Sequence, residues 1–447
     1  MTAGKNNLAL GGVKPRLTIA AIAVACLWVC VDLASIPAPA PQAKVAASTP
    51  VVPKLRLVVA AGQNGPEGGV FDRFDVNAQP IVAPVNSRGA VAFYARLSRA
   101  RQGEGIFLAS GARITKIAAI GDPVPGGGKL SEFAKHPTPA LNAAGKVAFG
   151  AAITGGTATD GIFLAANGAL KVIALTGADA PGVPNGTFVE FDAPVLTDDD
   201  QIAFIAAVRR GRDTLQALYL YRAGKLIKLV MSGDVAPRGG TFDNFGLPAI
   251  NQKGVIAFAA TIDHGKVLGG VFIAGTRDLS LLVGAGDITA DGAMLVRFSD
   301  RLSIDEEDNV AFGAHLNVNG SEAEAVFIAN VAGLTRVAAI GEAAPGGGKF
   351  ASFGTWPSVG PAGVVVFVAA IDDGPGPAGV YKWRNGAASA RIAMVGETLA
   401  GGGTLASFAM NPTPSTSENG GVTFATMAAP EAGKSGIYYF GPPPVAD

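Results

Sequence analysis

Asn142-Ala143-Ala144-Gly145-Lys146-Val147-Ala148-Phe149 is the stretch that decides the fold, because the chain makes it seven times. Its Phe recurs as Phe93, Phe149, Phe204, Phe258, Phe312, Phe367 and Phe424, at steps of 54 to 57 residues. A fixed period with self-similar sequence around it marks a repeat architecture. Asn can bond its own backbone two residues on, and Gly supplies the positive φ at which a hairpin closes. The turn is complete in Asn86 to Gly89, Asn142 to Gly145 and Asn251 to Gly254. Thr197 to Asp200 and Asp305 to Asp308 keep the chemistry with Asp, and Ser417 to Gly420 keeps the Gly.

Around this turn each unit carries four strand-like pieces. A short one precedes the turn, as in Pro139-Ala140-Leu141 or Pro248-Ala249-Ile250. The Val-Ala-Phe piece follows and is apolar on both faces, the pattern of a strand covered on both sides. The third piece reads Gly161-Ile162-Phe163-Leu164-Ala165 in one unit and Gly270-Val271-Phe272-Ile273-Ala274 in another. The fourth, such as Leu226 to Met231, runs into a Gly/Pro-rich connection such as Gly121-Asp122-Pro123-Val124-Pro125-Gly126-Gly127-Gly128. Several connections end in two Phe three apart: Phe71 and Phe74, Phe188 and Phe191, Phe242 and Phe245, Phe350 and Phe353. These read as plugs between units, carried on a loop.

Four antiparallel strands in about 55 residues describe a propeller blade. The ends of the repeat array strengthen this. The first element, Leu55 to Gly62, is a fourth-type strand, and the last, Gly436 to Phe440, is a third-type strand with no fourth after it. Seven of each type exist only if the N-terminal strand completes the last blade, which satisfies two sheet edges in a closed ring. The expected fold is an all-β, seven-bladed β-propeller over residues 54–440, with a tail at 441–447.

Residues 1–33 have the layout of an export signal or N-terminal anchor. Lys5, Lys14 and Arg16 precede an apolar run from Leu17 to Val31, shorter than the roughly 20 residues of a membrane span. An Ala/Pro-rich linker occupies 34–53. Cys26 and Cys30, the two cysteines, fall within the first segment, leaving the propeller without thiolates or disulfides. The expected location is exported: periplasmic, cell-surface or secreted. A membrane enters only through an uncleaved N-terminal segment.

Function is less legible. Lys+Arg and Asp+Glu balance at 35 each, which argues against a nucleic-acid partner. His136, His264 and His315 lie in different units, Gly433-Lys434-Ser435 lacks the rest of a phosphate loop, and no Gly-x-Ser-x-Gly elbow occurs. Two features remain as candidate sites. Loops of variable length, carrying Arg96, Arg99 and Arg101 in one unit and Arg209, Arg210 and Arg212 in another, fall on the same face as the connections. Variable loops on a rigid scaffold are the usual place for recognition. One acid follows each of five connection glycines (Asp122, Asp234, Asp287, Glu342, Glu397), and Asp179 lies two places after Gly177. Such a ring could serve Ca²⁺, which takes several oxygen ligands, or could form turns.

The Asn-x-x-Gly-x-x-Ala-Phe pattern resembles exported bacterial tandem-repeat proteins with a choice of anchor. Asn86, Asn142 and Asn251 head the units that fit it fully. The resemblance implies a surface or envelope location and no established activity. The leading expectation is an exported, non-catalytic binding propeller that recognises a protein or glycan at the loop-bearing face. Two alternatives stand beside it: a carbohydrate-active enzyme using Asp122, Asp192, Asp234 and Asp287 at the channel, and a structural envelope protein.

Overall fold

The computed structural model describes residues 54–444, apart from 67, 75–80, 134–137, 277, 399–403, 406, 409–412 and 427–434. The leader and linker expected over 1–53 lie outside the described residues, as do His136 and residues 445–447. Seven antiparallel sheets follow one another along the chain and form a seven-bladed propeller. Blade 3 shows the plan. Its strands Ile202–Arg210, Asp213–Arg222 and Lys225–Met231 pair in chain order from the centre outward.

The innermost strand differs from the sequence expectation. It is not one short piece before the turn but two segments on one edge. In blade 3 both Gly186–Phe191 and Val195–Leu196 pair with Ile202–Arg210, separated by Asp192 to Pro194. The paired Phe residues therefore sit in a strand and not in a loop. Two Phe three apart would face opposite sides of a regular strand. A bulge resolves this: the register slips between Phe188 and Glu190, and likewise between Phe242 and Phe245. Two residues then oppose one, and both rings turn to the same side.

That geometry builds the core. Each blade presents an aromatic face to the blade before it and an aliphatic face to the blade after. In blade 4, Phe242, Phe245, Phe258 and Phe272 stand 5.0 to 6.2 Å apart between centroids. They pack on Ala203, Ile205, Leu218 and Leu220 of blade 3. Seven such clusters occur, one at each junction of blades. The alternation in Val-Ala-Phe is thus a Phe for one neighbour and an Ala for the other.

The ring closes as expected. Lys54–Ala60 pairs antiparallel with Gly436–Gly441, with Leu55 opposite Phe440 and Leu57 opposite Tyr438. The N-terminal strand is the outermost strand of blade 7, completing the sheet of Ser415–Thr416, Val422–Thr426 and Gly436–Gly441.

Candidate functional site

Two faces result. One carries the Asn-x-x-Gly turns and the outer hairpins, and we call it the turn face. The other carries the connections between blades and the loops after the Val-Ala-Phe strands.

On the turn face the repeated Asn does two jobs. Asn142 is buried, and its Oδ1 accepts the Lys146 N–H at 2.9 Å, which closes its own turn. Its Nδ2 donates to the Thr197 carbonyl of the next blade at 3.4 Å. Asn86 reaches the Asn142 carbonyl and Asn251 the Asp305 carbonyl, both at 3.0 Å. Where Asp305 replaces Asn, the bond reverses, and the carboxylate accepts the Gly363 N–H of the next blade at 3.1 Å. Asp198 N–H donates to Gln252 Oε1 at 2.7 Å, Thr416 N–H to Ser358 Oγ at 3.2 Å, and Asn419 Nδ2 to the Ser87 carbonyl at 2.6 Å. Every one of the blade junctions is bridged this way. The sequence pattern suggested the turn but gave no sign of the link to the neighbour.

The second residues of these turns converge. Glu418 of blade 7 feels the negative charge of Asp198 in blade 3 and Glu306 in blade 5, and Gln252 of blade 4 bonds both the Asp198 N–H and the Glu306 carboxylate. Partial burial, and then these two carboxylates, raise the pKa of its carboxyl. The acids that meet are therefore these three, and not Asp122, Asp192, Asp234 and Asp287.

Those others have local partners. Asp122 Oδ2 accepts the Ala119 N–H at 2.8 Å, three residues back, and its Oδ1 pairs with Lys116 at 3.2 Å. Asp234, Asp287, Glu342 and Glu397 cap Met231, Gly284, Ala339 and Met394 in the same way, at 2.8 to 3.1 Å. Lys228, Arg238, Arg336 and Arg391 pair with them at 2.8 to 3.0 Å. Asp179 does not belong to the series. Ala178 holds that place, since its N–H bonds Leu175 as the Asp122 N–H bonds Ala119. Gln63 takes it after the outermost strand of blade 7 and caps Ala60 at 3.3 Å. Asp192 lies on the innermost-strand kink, its N–H on the Ile205 carbonyl. Among the described residues, no group of three or more His, Cys, Asp or Glu side chains is arranged to hold a metal ion.

The expected basic residues stand on separate blades. Arg96 pairs with Glu104 at 3.3 Å, and Arg99 turns the loop with φ of 59°. Arg101 lines a cavity of about 510 Å³ with Gln102, Lys116 and Lys129. Arg209, Arg210 and Arg212 are exposed at the tip of the long blade 3 hairpin, where Arg210 opposes Asp213. Blade 2 lies between the two groups.

A cavity of about 500 Å³ opens on the turn face between blades 6 and 7. Its floor is Val364, Val366, Val422 and Phe440, and its rim Lys382, Arg384, Glu418 and Asn419. Half-buried Trp383 borders it on the blade 6 strand, while its side chain packs against the core of the blade 5–6 junction and lines the neighbouring cavity of about 410 Å³ there. Sequence reading passed over Trp383, although an aromatic residue on the otherwise polar end of a hairpin was its available signal. The channel itself is lined by the short inner segments of all seven blades and holds about 180 Å³.

No curated protein matches the chain. Among solved structures, similarity extends to an oligogalacturonate lyase in complex with manganese, at 11% identity and a TM-score of 0.48, covering 88% of this chain and 98% of that one. Aleuria aurantia lectin, in complex with Fucalpha1-6GlcNAc, is similar at 10% identity and a TM-score of 0.33, covering 72% and 96%. The GH74 xyloglucanase from Xanthomonas campestris is similar at 14% identity and 0.41, covering 86% and 55%. A family model described as a family of unknown function, DUF7453, matches residues 42–269 and again 262–439, and the chain belongs to that family.

Proposed function

We propose that this protein is an exported, non-catalytic propeller that binds a glycan in the cleft between blades 6 and 7. The observation that carries the reading is Trp383, a half-buried aromatic residue on the strand that separates two cavities of about 500 and 410 Å³. A sugar ring offers an apolar C–H face and a rim of hydroxyls. The cleft answers with the Phe440 ring and an apolar floor, and with Lys382, Arg384, Glu418 and Asn419 at its edge. Two grooves meeting at one ring suit consecutive sugars better than a single one. The proposed site is on the turn face, opposite the face to which loop variability pointed. The export segment read in residues 1–33 would place the protein at the envelope, where glycans are met.

The test is retention on a panel of immobilised polysaccharides. The wild-type chain should be retained by at least one, and Trp383→Ala should lose at least tenfold in affinity with unchanged melting. Equal retention of wild type and variant would sink the reading.

A second reading rests on Glu418. It lines the same cleft, and its raised pKa beside two other carboxylates is the disposition of a general acid. Release of reducing ends from a retained polysaccharide, lost in Glu418→Gln while retention persists, would turn the binder into an enzyme.

A further inference from the structure

One residue in each blade lies four places before its turn: Val82, Thr138, Ala193, Leu247, Arg301, Trp356 and Thr413. Six are apolar or small hydroxyl residues, and one is an arginine. Arg301 lines the channel cavity with Trp356, Ser303, Ser358, Thr413 and Ser415. Its guanidinium carbon lies 5.4 Å from the centroid of the Trp356 ring. Its Nη1 is sealed from solvent, and no acceptor among the described residues meets it. A buried donor left without an acceptor carries a desolvation cost that something in the native environment must offset.

The backbone that presents this guanidinium is held from three sides. Leu247 N–H donates to the Asp300 carbonyl at 2.7 Å, joining the inner kinks of blades 4 and 5. Gly246 permits that approach, since a Cβ there would lie 2.2 Å from the Asp300 oxygen. Ser299 Oγ donates to the Arg301 carbonyl at 3.1 Å. Trp356 is fixed in turn, its Nε1 donating to Asp300 Oδ1 at 2.6 Å. Burial lowers the Arg301 pKa to about 10, so the group stays charged at neutral pH. The result is a rigid cation with an unpaired Nη1, on the wall of a small cavity.

We propose that Arg301 is the anchor of a second ligand site, on the propeller axis, which takes a single carboxylate. The planar fork of a guanidinium matches the two oxygens of a carboxylate. A phosphate is disfavoured by charge. Asp300 already sits beside Arg301, and Asp198, Glu306 and Glu418 gather where the turns meet, so one positive charge would face a dianion in an acidic setting. The hydroxyls of Ser303 and Ser415 are placed along the same wall. The carboxylate could belong to a uronic acid or to the C-terminus of a peptide. Because Arg301 lies on the axis and Trp383 at the blade 6–7 cleft, this site stands or falls apart from the glycan reading.

The experiment is calorimetric titration of the full chain with five probes: D-glucuronate, D-glucose, acetyl-dialanine with a free carboxylate, its amide, and inorganic phosphate. The expected result is saturable binding of at least one carboxylate, at least tenfold tighter than its neutral counterpart and than phosphate. The pair that binds names the source. Arg301→Met should lose at least tenfold, and Arg301→Lys less. Should Arg301→Met fail to fold, tryptophan quenching by the bound carboxylate, present in the wild type and reduced in Trp356→Phe, locates the site. Equal binding of acid and neutral partner, unchanged binding in Arg301→Met, tighter binding of phosphate, quenching unaltered in Trp356→Phe, or no binding by either carboxylate would each overturn the proposal.

Discussion

The two faces of the ring spend similar polar residues in different ways. On the turn face, a side chain of one blade bonds the backbone or side chain of the next, as Asn142 does with Thr197 and Gln252 with Asp198. On the connection face, Asp122, Asp234 and Glu342 each bond an N–H three residues back in their own turn. The first arrangement ties blades together; the second shapes single turns. Loss of a shared bond is felt at a junction, whereas loss of a local cap is felt at one connection. The connection face can therefore vary in sequence at little cost to the ring.

The contrast can be broken most directly at Asn251. Asn251→Ala leaves the Val255 N–H and the Asp305 carbonyl without their partner. Urea unfolding should show a loss of about 2–4 kcal/mol, since buried groups are left unsatisfied. Asn251→Asp separates the two jobs. It keeps the acceptor for Val255 but removes the donor to blade 5 and sets a second carboxylate against Asp308 Oδ1, which Asn251 Nδ2 meets at 2.7 Å, so it should cost about as much as the alanine variant. A loss much smaller than that of Asn251→Ala would show that the bonds to blade 5 carry little of the effect.

Much of this was legible because repetition averages out local noise. One Asn-x-x-Gly turn is weak evidence, but three such turns and a Phe that recurs seven times at steps of 54 to 57 residues define a blade count. The closing strand was legible too, since Leu55 to Ala61 is a fourth-type strand with no blade of its own. What escaped reading depends on register. The bulge that turns Phe242 and Phe245 to one side changes a loop into a strand, and strand period alone hides it. The site was hardest. Glu418, Asp198 and Glu306 come from three blades and meet only because a ring brings them round, so no spacing along the chain announces them. Asp179 was placed in the acid series by proximity to a glycine, and the backbone pattern moves that place to Ala178.

Smaller effects sharpen the other side of the comparison. Asp234→Ala removes the cap on Met231 and the pair with Lys228, which is partly exposed. The expected loss is about 0.5–1 kcal/mol by the same unfolding measurement. A loss as large as that of Asn251→Ala would erase the distinction between the faces. Ala178→Asp should gain about 0.5 kcal/mol, by giving blade 2 the cap that its neighbours have. No gain, with the turn otherwise intact, would mean that the caps serve something other than turn stability.

The last prediction concerns pH. The Glu418 carboxyl is held above its ordinary value by burial and by Asp198 and Glu306. The folded state then binds its proton more tightly than the unfolded chain does. Stability should fall as pH rises from the usual glutamate range through the raised value, and level off above it. Glu418→Gln should remove that fall and leave the variant the more stable at neutral pH. Melting curves across this range check it. A wild type whose stability rises over the window would show that the three carboxylates do not repel in the folded state.

The pairing of Lys54–Ala60 with Gly436–Gly441 also fixes an order of events. The strand made first on the ribosome has no partner until the strand made last has appeared. The junctions of blades 1 to 6 can form while the chain is still incomplete, but the seventh sheet cannot. Closure is therefore the last step in assembling the ring, and a chain threaded from its N-terminal side through a membrane pore would present the first propeller strand unpaired on the far side. A protein built this way carries its own delay, and the ring locks only where both ends of the propeller have arrived.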